Sequence, residues 1–518
     1  MKSFCSETTA HGIGNVVKED SVLWAKIIWL VIVILVLSGG IFHLVYVVDT
    51  YLQYPSQETT QLLTKDPKFP HVTICNALPI SQNHSAEMRA NPTSAFAQYE
   101  QMIADMSIQM EQYEQQTGTA IDDILLSPKG LFANIERGAV VDIGHSLKDL
   151  VRGCTYLDEA CDMDNHWEHF IDSNYFNCFT FTGGAKLDKS ASGPNNGLAL
   201  VLYMENLVPE FATMNYSYNI YSSLENAFGL RVDIHDKGTL PTPTDTGIDI
   251  MPGHSTSISL KANKINKLQH PWGNCTHRDH LEDLAQYRYS TAGCYAVCLT
   301  QYVYDKCNCV NNYSPTPDTI PNNARLCVYM DNATVTLDDL FRTSNCVFGA
   351  HRKFLTSEPT REKCNCKEPC QYRTYDEAVS ENIWPASLYQ LDTFSEFAIE
   401  QENHESLLAY GQMNSAYQNA YDGVTDGSEF KELMYANFAR LNIYFKSQTV
   451  LERKQTASMT LADLFANIGG TIGLWAGLSV VTVIEVISLV IKITGILVRK
   501  CRKAKASGKV DNNNEQQL

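Results

Sequence analysis

The chain has 518 residues and a formal net charge of −18, too long for one small domain and long enough for a large core plus membrane spans. An acidic balance of this size attracts cations and cationic ligands, and no nucleic-acid partner is expected. No H-E-x-x-H, G-x-S-x-G or Walker sequence is present, which argues against an ectoenzyme, and no metal or organic cofactor is expected.

Residues 1–22 are short and polar. Ile27–Val48, within a first span placed at 23–49, is apolar enough to cross a bilayer, which takes about 20 such residues. Its apolar run exceeds the h-region of a signal peptide and no A-x-A-like site follows, so it reads as a retained helix. In "TKDPKFPHVTICNALPI" the alternating V-T-I-C reads as a strand. Between Pro92 and Gly118, Phe96, Tyr99, Ile103 and Met106 recur at helical spacing. "YFNCFTF", "GLALVLYM", "GLRVDIH" and "SISL" read as strands separated by Gly, Pro and Asn punctuation. A cysteine-dense part follows from Cys275 to Cys370, and "ARLNIYFKSQTVLERKQT" reads as a strand pair leading into the second span. That span, placed at 461–497, contains "NIGGTIGLWAGLSVVTVIEVISLVIKI", and a tail at 498–518 ends the chain. The predicted class is α+β: two terminal membrane helices flank a large domain at 50–460 with a central β-sheet core and peripheral helices.

The tail carries Arg499, Lys500, Arg502, Lys503, Lys505 and Lys509. By the positive-inside rule that end is cytoplasmic, two spans put the N-terminus beside it, and the middle lies outside. Fourteen of the 16 cysteines fall in this middle region, as do the five glycosylation sequons, at Asn83, Asn215, Asn274, Asn312 and Asn332. Both patterns suit an oxidising exterior and a disulfide framework. Cys294 and Cys298 share one face of a helix about 6 Å apart. Cys364 and Cys366 share one face of a strand at about 6.6 Å. The matching rises predict two parallel rungs, in either register. Cys307 and Cys309 are too close to pair with each other and should reach elsewhere, toward Cys327 and Cys346. Zinc is the rival for the C-x-C pairs, disfavoured by the oxidising exterior and the lack of clustered histidines.

The second span is chemically odd for an anchor. Its glycines weaken a helix by up to about 1 kcal/mol each relative to Ala, and Glu485 places a carboxylate where it costs several kcal/mol. Intramembrane charges mark functional paths, whereas a helix packed through small residues with a neutralised glutamate is the plainer alternative.

The motifs taken together resemble the degenerin/epithelial sodium channel superfamily over nearly the whole length. They are "HG" at His11–Gly12, "FPHVTICN" at Phe69–Asn76, "NCFTF" at Asn177–Phe181, "PWGNC" at Pro271–Cys275, "CNCKEPC" at Cys364–Cys370, "WP" at Trp384–Pro385 and "NIGGTIGLWAGLS" at Asn467–Ser479. The resemblance implies a plasma-membrane homotrimer whose second spans line a sodium pore, with amiloride as a pore blocker and Na+ as the permeant ion. It implies the disulfides Cys75–Cys178, Cys154–Cys161, Cys275–Cys370, Cys294–Cys366, Cys298–Cys364, Cys307–Cys346 and Cys309–Cys327. The family's Gly/Ser-x-Ser selectivity motif falls on Gly477, Leu478 and Ser479. Glu485 would form a three-carboxylate ring below it, and Ala466 and Asn467 would lie at the pore mouth. His11 and Gly12 match a gating motif, and Tyr54 and Trp272 match an aromatic contact between the first span and the ectodomain.

Departures from the family point to a subtype. Acid-sensing members carry a His and an acid beyond the first span, where this chain has Ser56 and Gln61, and Ser488 replaces an acid one turn below the glutamate. The resemblance therefore narrows to the branch gated by FMRFamide-like neuropeptides, with an acid-gated or constitutively open sodium channel as the alternative. An RFamide offers aromatic rings, a cationic Arg and an amide, suited to an acidic, aromatic-containing pocket. No residues are assigned to that pocket; the region Pro92–Asn134 is its expected location. A two-span scavenger-type receptor would need neither Glu485 nor the Gly-x-Ser break, and an ATP-gated channel would require clustered Lys and Arg for phosphates.

Overall fold

The computed structural model describes residues 22–65, 67–81, 84, 87–88, 90–117, 134, 137–172, 174–184, 190–206, 228–282, 284–310, 316–321, 323–327, 329, 336–401, 407, 410–477, 484 and 487–499. They divide into two units: one of residues 1–58, 270–273 and 455–518, the other of 59–269 and 274–454.

The smaller unit is built on the helix Leu23–Leu52. It is the one helix among the described residues long and apolar enough to cross a membrane. It runs three residues beyond the predicted end at 49, because nothing between Asp49 and Leu52 disfavours a helix before Pro55 stops it. Packed on it is the helix Leu461–Ala476. This second helix opens with a capping box: the Thr460 hydroxyl accepts from Asp463 N at 3.2 Å and the Asp463 carboxylate accepts from Thr460 N at 2.9 Å. It stops at Gly477, whose φ of +63° is left-handed backbone that only Gly adopts without strain. Residues 487–499 are helical again.

The larger unit holds two sheets. One runs Gln371–Ile383, His254–Asn266, Phe438–Ala457, Leu198–Tyr203, Val151–Tyr156, Glu159–Ala160, with Ser56–Thr64 also paired to the long Phe438–Ala457 strand. The other runs Trp167–Asp172, Phe176–Phe181, His71–Asn76, Leu230–His235, Ile248–Ile250. Between their inner faces lies a core that includes Phe69, Val72, Ile74, Phe181, Leu200, Leu441 and Phe445. The predicted V-T-I-C strand is central, and every residue of His71–Asn76 is buried. The predicted helix forms at Ala95–Thr117, and its Tyr99 and Met106 pack on Val140, Ile143 and Phe176.

Two local expectations fail. Phe438–Ala457 is one 20-residue strand rather than a pair. No turn residue interrupts it, and the irregularity lies in its pairing: Leu260 opposes Phe445 while Ala262 opposes Val450, so the register shifts across Lys446–Thr449 without the chain reversing. Cys364 and Cys366 are not on a strand either. They follow the short helix Glu358–Glu362 in a turn, with Asn365 at φ +48°, and no strand among the described residues pairs with them.

Candidate functional site

In the smaller unit, Tyr54 meets Trp272 edge-on with ring centroids 5.5 Å apart. Tyr54 has φ +47°, a conformation that an aromatic residue holds only where its surroundings fix it. The Trp272 indole N–H is buried with no acceptor among the described residues. The two helices of this unit meet at a pair of glycines. A methyl group at Gly39 would come within 2.7 Å of the Trp475 ring, and one at Gly40 within 2.9 Å of Trp475 Cβ. Trp475 Nε1 donates to His43 Nδ1 at 3.2 Å. Ala466 and Asn467 are exposed on the same helix as Trp475, and Leu464 and Thr471 are buried. Gly477 ends that helix. Leu478, Ser479 and Glu485 lie outside the described residues, as do His11 and Gly12. Ser56 and Gln61 are exposed on the Ser56–Thr64 strand, and Ser488 is exposed on the last helical stretch.

The larger unit carries seven disulfides, Cys75–Cys178, Cys154–Cys161, Cys275–Cys370, Cys294–Cys366, Cys298–Cys364, Cys307–Cys346 and Cys309–Cys327. Cys294 and Cys298 are on the helix Thr291–Cys307 and form two rungs with Cα separations of 5.7 and 5.8 Å. Asn274 is exposed next to the Cys275–Cys370 bridge; Asn83, Asn215, Asn312 and Asn332 fall outside the described residues.

The larger unit also contains a cavity of about 520 Å³ lined by His84, Glu87, Met88, Val141, His145 and Phe179, among others. Its floor is a histidine network. His145 Nε2 donates to the Leu78 carbonyl at 2.8 Å, and its Nδ1 lies 3.2 Å from the Glu205 carboxylate. This pair is 4 % and 7 % exposed, so breaking it would strand a buried charge. Ser81 Oγ donates to the same carboxylate at 3.2 Å, and Glu205 itself has φ +54°. His84 Nδ1 donates to the Gly144 carbonyl at 2.9 Å, with Asp149 3.6 Å from its other nitrogen. Asn177 Nδ2 donates to the Val141 and His145 carbonyls, tying the helix Arg137–Ile143 to the strand Phe176–Phe181. The exposed carboxylates of Glu87 and Asp142 line the same cavity as the apolar Met88, Val141 and Phe179. Apolar walls with acidic groups suit a ligand that carries both an apolar ring and a positive charge.

A further ionisable group stands on the strand Gln371–Ile383. Desolvation, and then the like charge of Asp233, push the Glu377 carboxyl up to about 7. Asp233 itself is held by Thr242 N at 2.8 Å and Thr246 Oγ1 at 2.6 Å.

Tyr54 and Trp272 are thus brought into contact, and Gly477 stands at a helix break. Sequence reasoning missed the Gly39–Gly40 seat, its partner His43, and the cavity histidines. The first had a readable signal: a Gly-Gly pair and a His three residues on are as foreign to a plain anchor helix as the features singled out in the expected second span. The cavity had none, since its walls come from three separate segments of the chain, 84–88, 141–147 and 169–179.

A sequence model described as "Amiloride-sensitive sodium channel" matches residues 4–489. The chain is 32% identical over 553 aligned positions to the FMRFamide-activated amiloride-sensitive sodium channel of Cornu aspersum, covering 98% of this chain and 85% of that one. It is 26% identical to degenerin unc-8 of Caenorhabditis elegans over 71% of this chain. It is also 26% identical to the epithelial sodium channel subunit alpha of Neoceratodus forsteri, over 70% of this chain. It spans 42% and 49% of those two longer relatives. With the family match covering nearly its whole length, the chain belongs to the amiloride-sensitive sodium channel family.

Proposed function

We propose that the chain forms a homotrimeric, sodium-preferring cation channel of the plasma membrane, opened by an extracellular FMRFamide-like peptide and blocked by amiloride. The observation that carries this reading is the 32% identity along 98% of the chain to a relative named for FMRFamide activation. Ser56 and Gln61, where acid-sensing relatives carry ionisable groups, support the same ligand class. The second span, 461–497, opens with the helix Leu461–Ala476, both termini are cytoplasmic, and the disulfide-bonded unit faces outward, where its bridges are stable.

In this reading the break at Gly477 turns backbone carbonyls of Gly477, Leu478 and Ser479 toward the axis, an arrangement tolerated at membrane depth only where it lines a water-filled path. Three such segments replace part of the hydration shell of a sodium ion, and a Glu485 ring concentrates cations and repels anions. The cavity with Glu87, Asp142, Met88 and Phe179, which lies outside the expected region Pro92–Asn134, receives the arginine and ring of the peptide. For the peptide to open the pore it must bind the open trimer more tightly than the closed one. The Tyr54–Trp272 contact is part of the route from ectodomain to pore.

The test is to express the chain and apply FMRFamide, the same peptide with a free C-terminal carboxylate, and acid in turn at fixed membrane potential. The reading requires current from the amide alone at neutral pH, at micromolar peptide or below, a range corresponding to about −8 kcal/mol. Current from acid with none from any RFamide, or a steady current without ligand, transfers the chain to the alternative of an acid-gated or constitutively open channel.

A further inference from the structure

The break at Gly477 comes two residues after the side chain that fixes its helix to the first one. Trp475 lies on Gly39 and Gly40 so closely that neither position has room for a methyl group, and its indole N–H reaches His43 Nδ1 at 3.2 Å. The three residues of the seat, at 39, 40 and 43, lie three and four apart and so share one face of the helix Leu23–Leu52. A purely apolar anchor face would give a tryptophan neither a recess nor an acceptor. An α-helix turns about 100° per residue. A residue two places beyond one that faces the first helix therefore points about 200° away from it. Fixing Trp475 on the first helix aims the backbone at Gly477 to the opposite side.

We propose that Gly39, Gly40 and His43 form a positioning site for the pore: they clamp Trp475 and thereby set the orientation of the second-span backbone at the Gly477 break. None of these residues touches the permeating ion. The clamp acts through Trp475, and the inference rests on the proposed function, which places the Gly477 side of the helix at the conduction path. Its energetic weight is that of one interhelical hydrogen bond plus close packing. In membrane proteins the hydrogen bond alone changes an equilibrium by about threefold on average and up to about twentyfold.

The test is a double-mutant cycle on the full-length channel in excised patches, reading open probability at a fixed FMRFamide concentration and the Na+/K+ permeability ratio. His43→Leu removes the acceptor and Trp475→Phe removes the donor while keeping a ring. Each single variant should shift the open–closed equilibrium about threefold or more in the same direction. The double variant should shift it no further, because both delete the same bond. His43→Asn keeps an acceptor oxygen near the position of Nδ1 and should restore wild-type behaviour, which a residue needed only for folding would not do. Gly39→Ala should displace the Trp475 ring and alter gating, with partial relief when combined with Trp475→Leu. Additive single effects, or His43→Leu and Gly39→Ala channels identical to wild type, overturn the clamp while leaving the proposed function standing. A wild-type chain that passes no peptide-evoked current overturns the proposed function first and the clamp with it.

Discussion

Replacing Gly477 with alanine should damage conduction, whereas the same change at Gly470 should not. The difference follows from backbone conformation alone. Gly477 sits at φ +63°, the left-handed region, where it closes the helix Leu461–Ala476 and its N–H bonds to the Gly473 carbonyl at 3.0 Å. A Cβ in that region crowds the following carbonyl and costs about 1–2 kcal/mol. Gly477→Ala should therefore shift the balance between a broken and a continuous helix by about 5- to 30-fold toward the continuous form. Gly470 lies inside the helix, at ordinary helical φ, and a methyl added there meets nothing within 4 Å. Gly470→Ala should if anything strengthen the helix, by up to about 1 kcal/mol. Asn tolerates left-handed backbone, so Gly477→Asn should fall between wild type and Gly477→Ala. The assay is single-channel conductance and the Na+/K+ reversal potential, with surface labelling to normalise for delivery. A Gly477→Ala channel with wild-type conductance and selectivity, or a Gly470→Ala channel damaged to the same degree, would refute the reasoning.

Glu485→Gln removes three charges from the proposed trimeric ring and should lower single-channel conductance or sodium preference; unchanged values assign the glutamate to helix packing. Tyr54→Leu deletes an edge-to-face contact worth about 0.5–1.5 kcal/mol beyond its buried area, so half-activation by peptide should move about 2- to 13-fold. Tyr54→Phe should leave it in place, and equal effects from the two variants would assign Tyr54 another role. Glu377, with a folded-state pKa raised from 4.5 to about 7, favours the protonated native state. Its contribution to stability is fully present below about pH 4.5 and is lost as pH rises through about 7. Glu377 is exposed on its strand, so solvent screening keeps this contribution small. Glu377→Gln should flatten any fall in melting temperature of the detergent-solubilised protein between about pH 5 and pH 8. A steeper fall in the variant would reverse the sign of that argument.

The fold was legible wherever the signal was local. Helical spacing located Ala95–Thr117, and V-T-I-C located the strand His71–Asn76. Nothing local distinguishes a half-buried strand from the fully buried one that His71–Asn76 proves to be, because its second face is covered by distant residues. A stretch of 20 residues exceeds the usual strand length and so suggests a pair, whereas Phe438–Ala457 is continuous because of partners such as Leu198–Tyr203 and His254–Asn266. The two cysteine rungs fitted a strand by spacing, but a turn at Asn365 presents both sulfurs equally well. At the site, Gly477 was singled out through the resemblance, by the Gly/Ser-x-Ser motif, and the left-handed backbone found there suits a glycine. The cavity was not, since it comes from packing between separate segments of the chain; the Trp475 seat left a local signal in Gly39, Gly40 and His43, but the side chain that fills it lies more than 400 residues on.

In the proposed function a peptide opens a sodium-preferring path through this protein. The most direct measurement is the reversal potential of the current evoked by FMRFamide, recorded first with sodium and then with potassium as the sole external cation. The account predicts a current at neutral pH that reverses near the sodium equilibrium potential. It also predicts a shift of tens of millivolts to more negative potentials when potassium replaces sodium, since about 59 mV corresponds to each tenfold of selectivity for a monovalent ion. A peptide-evoked current whose reversal does not move on that exchange would contradict the sodium preference. The absence of any peptide-evoked current, with the chain at the cell surface, would contradict the account as a whole.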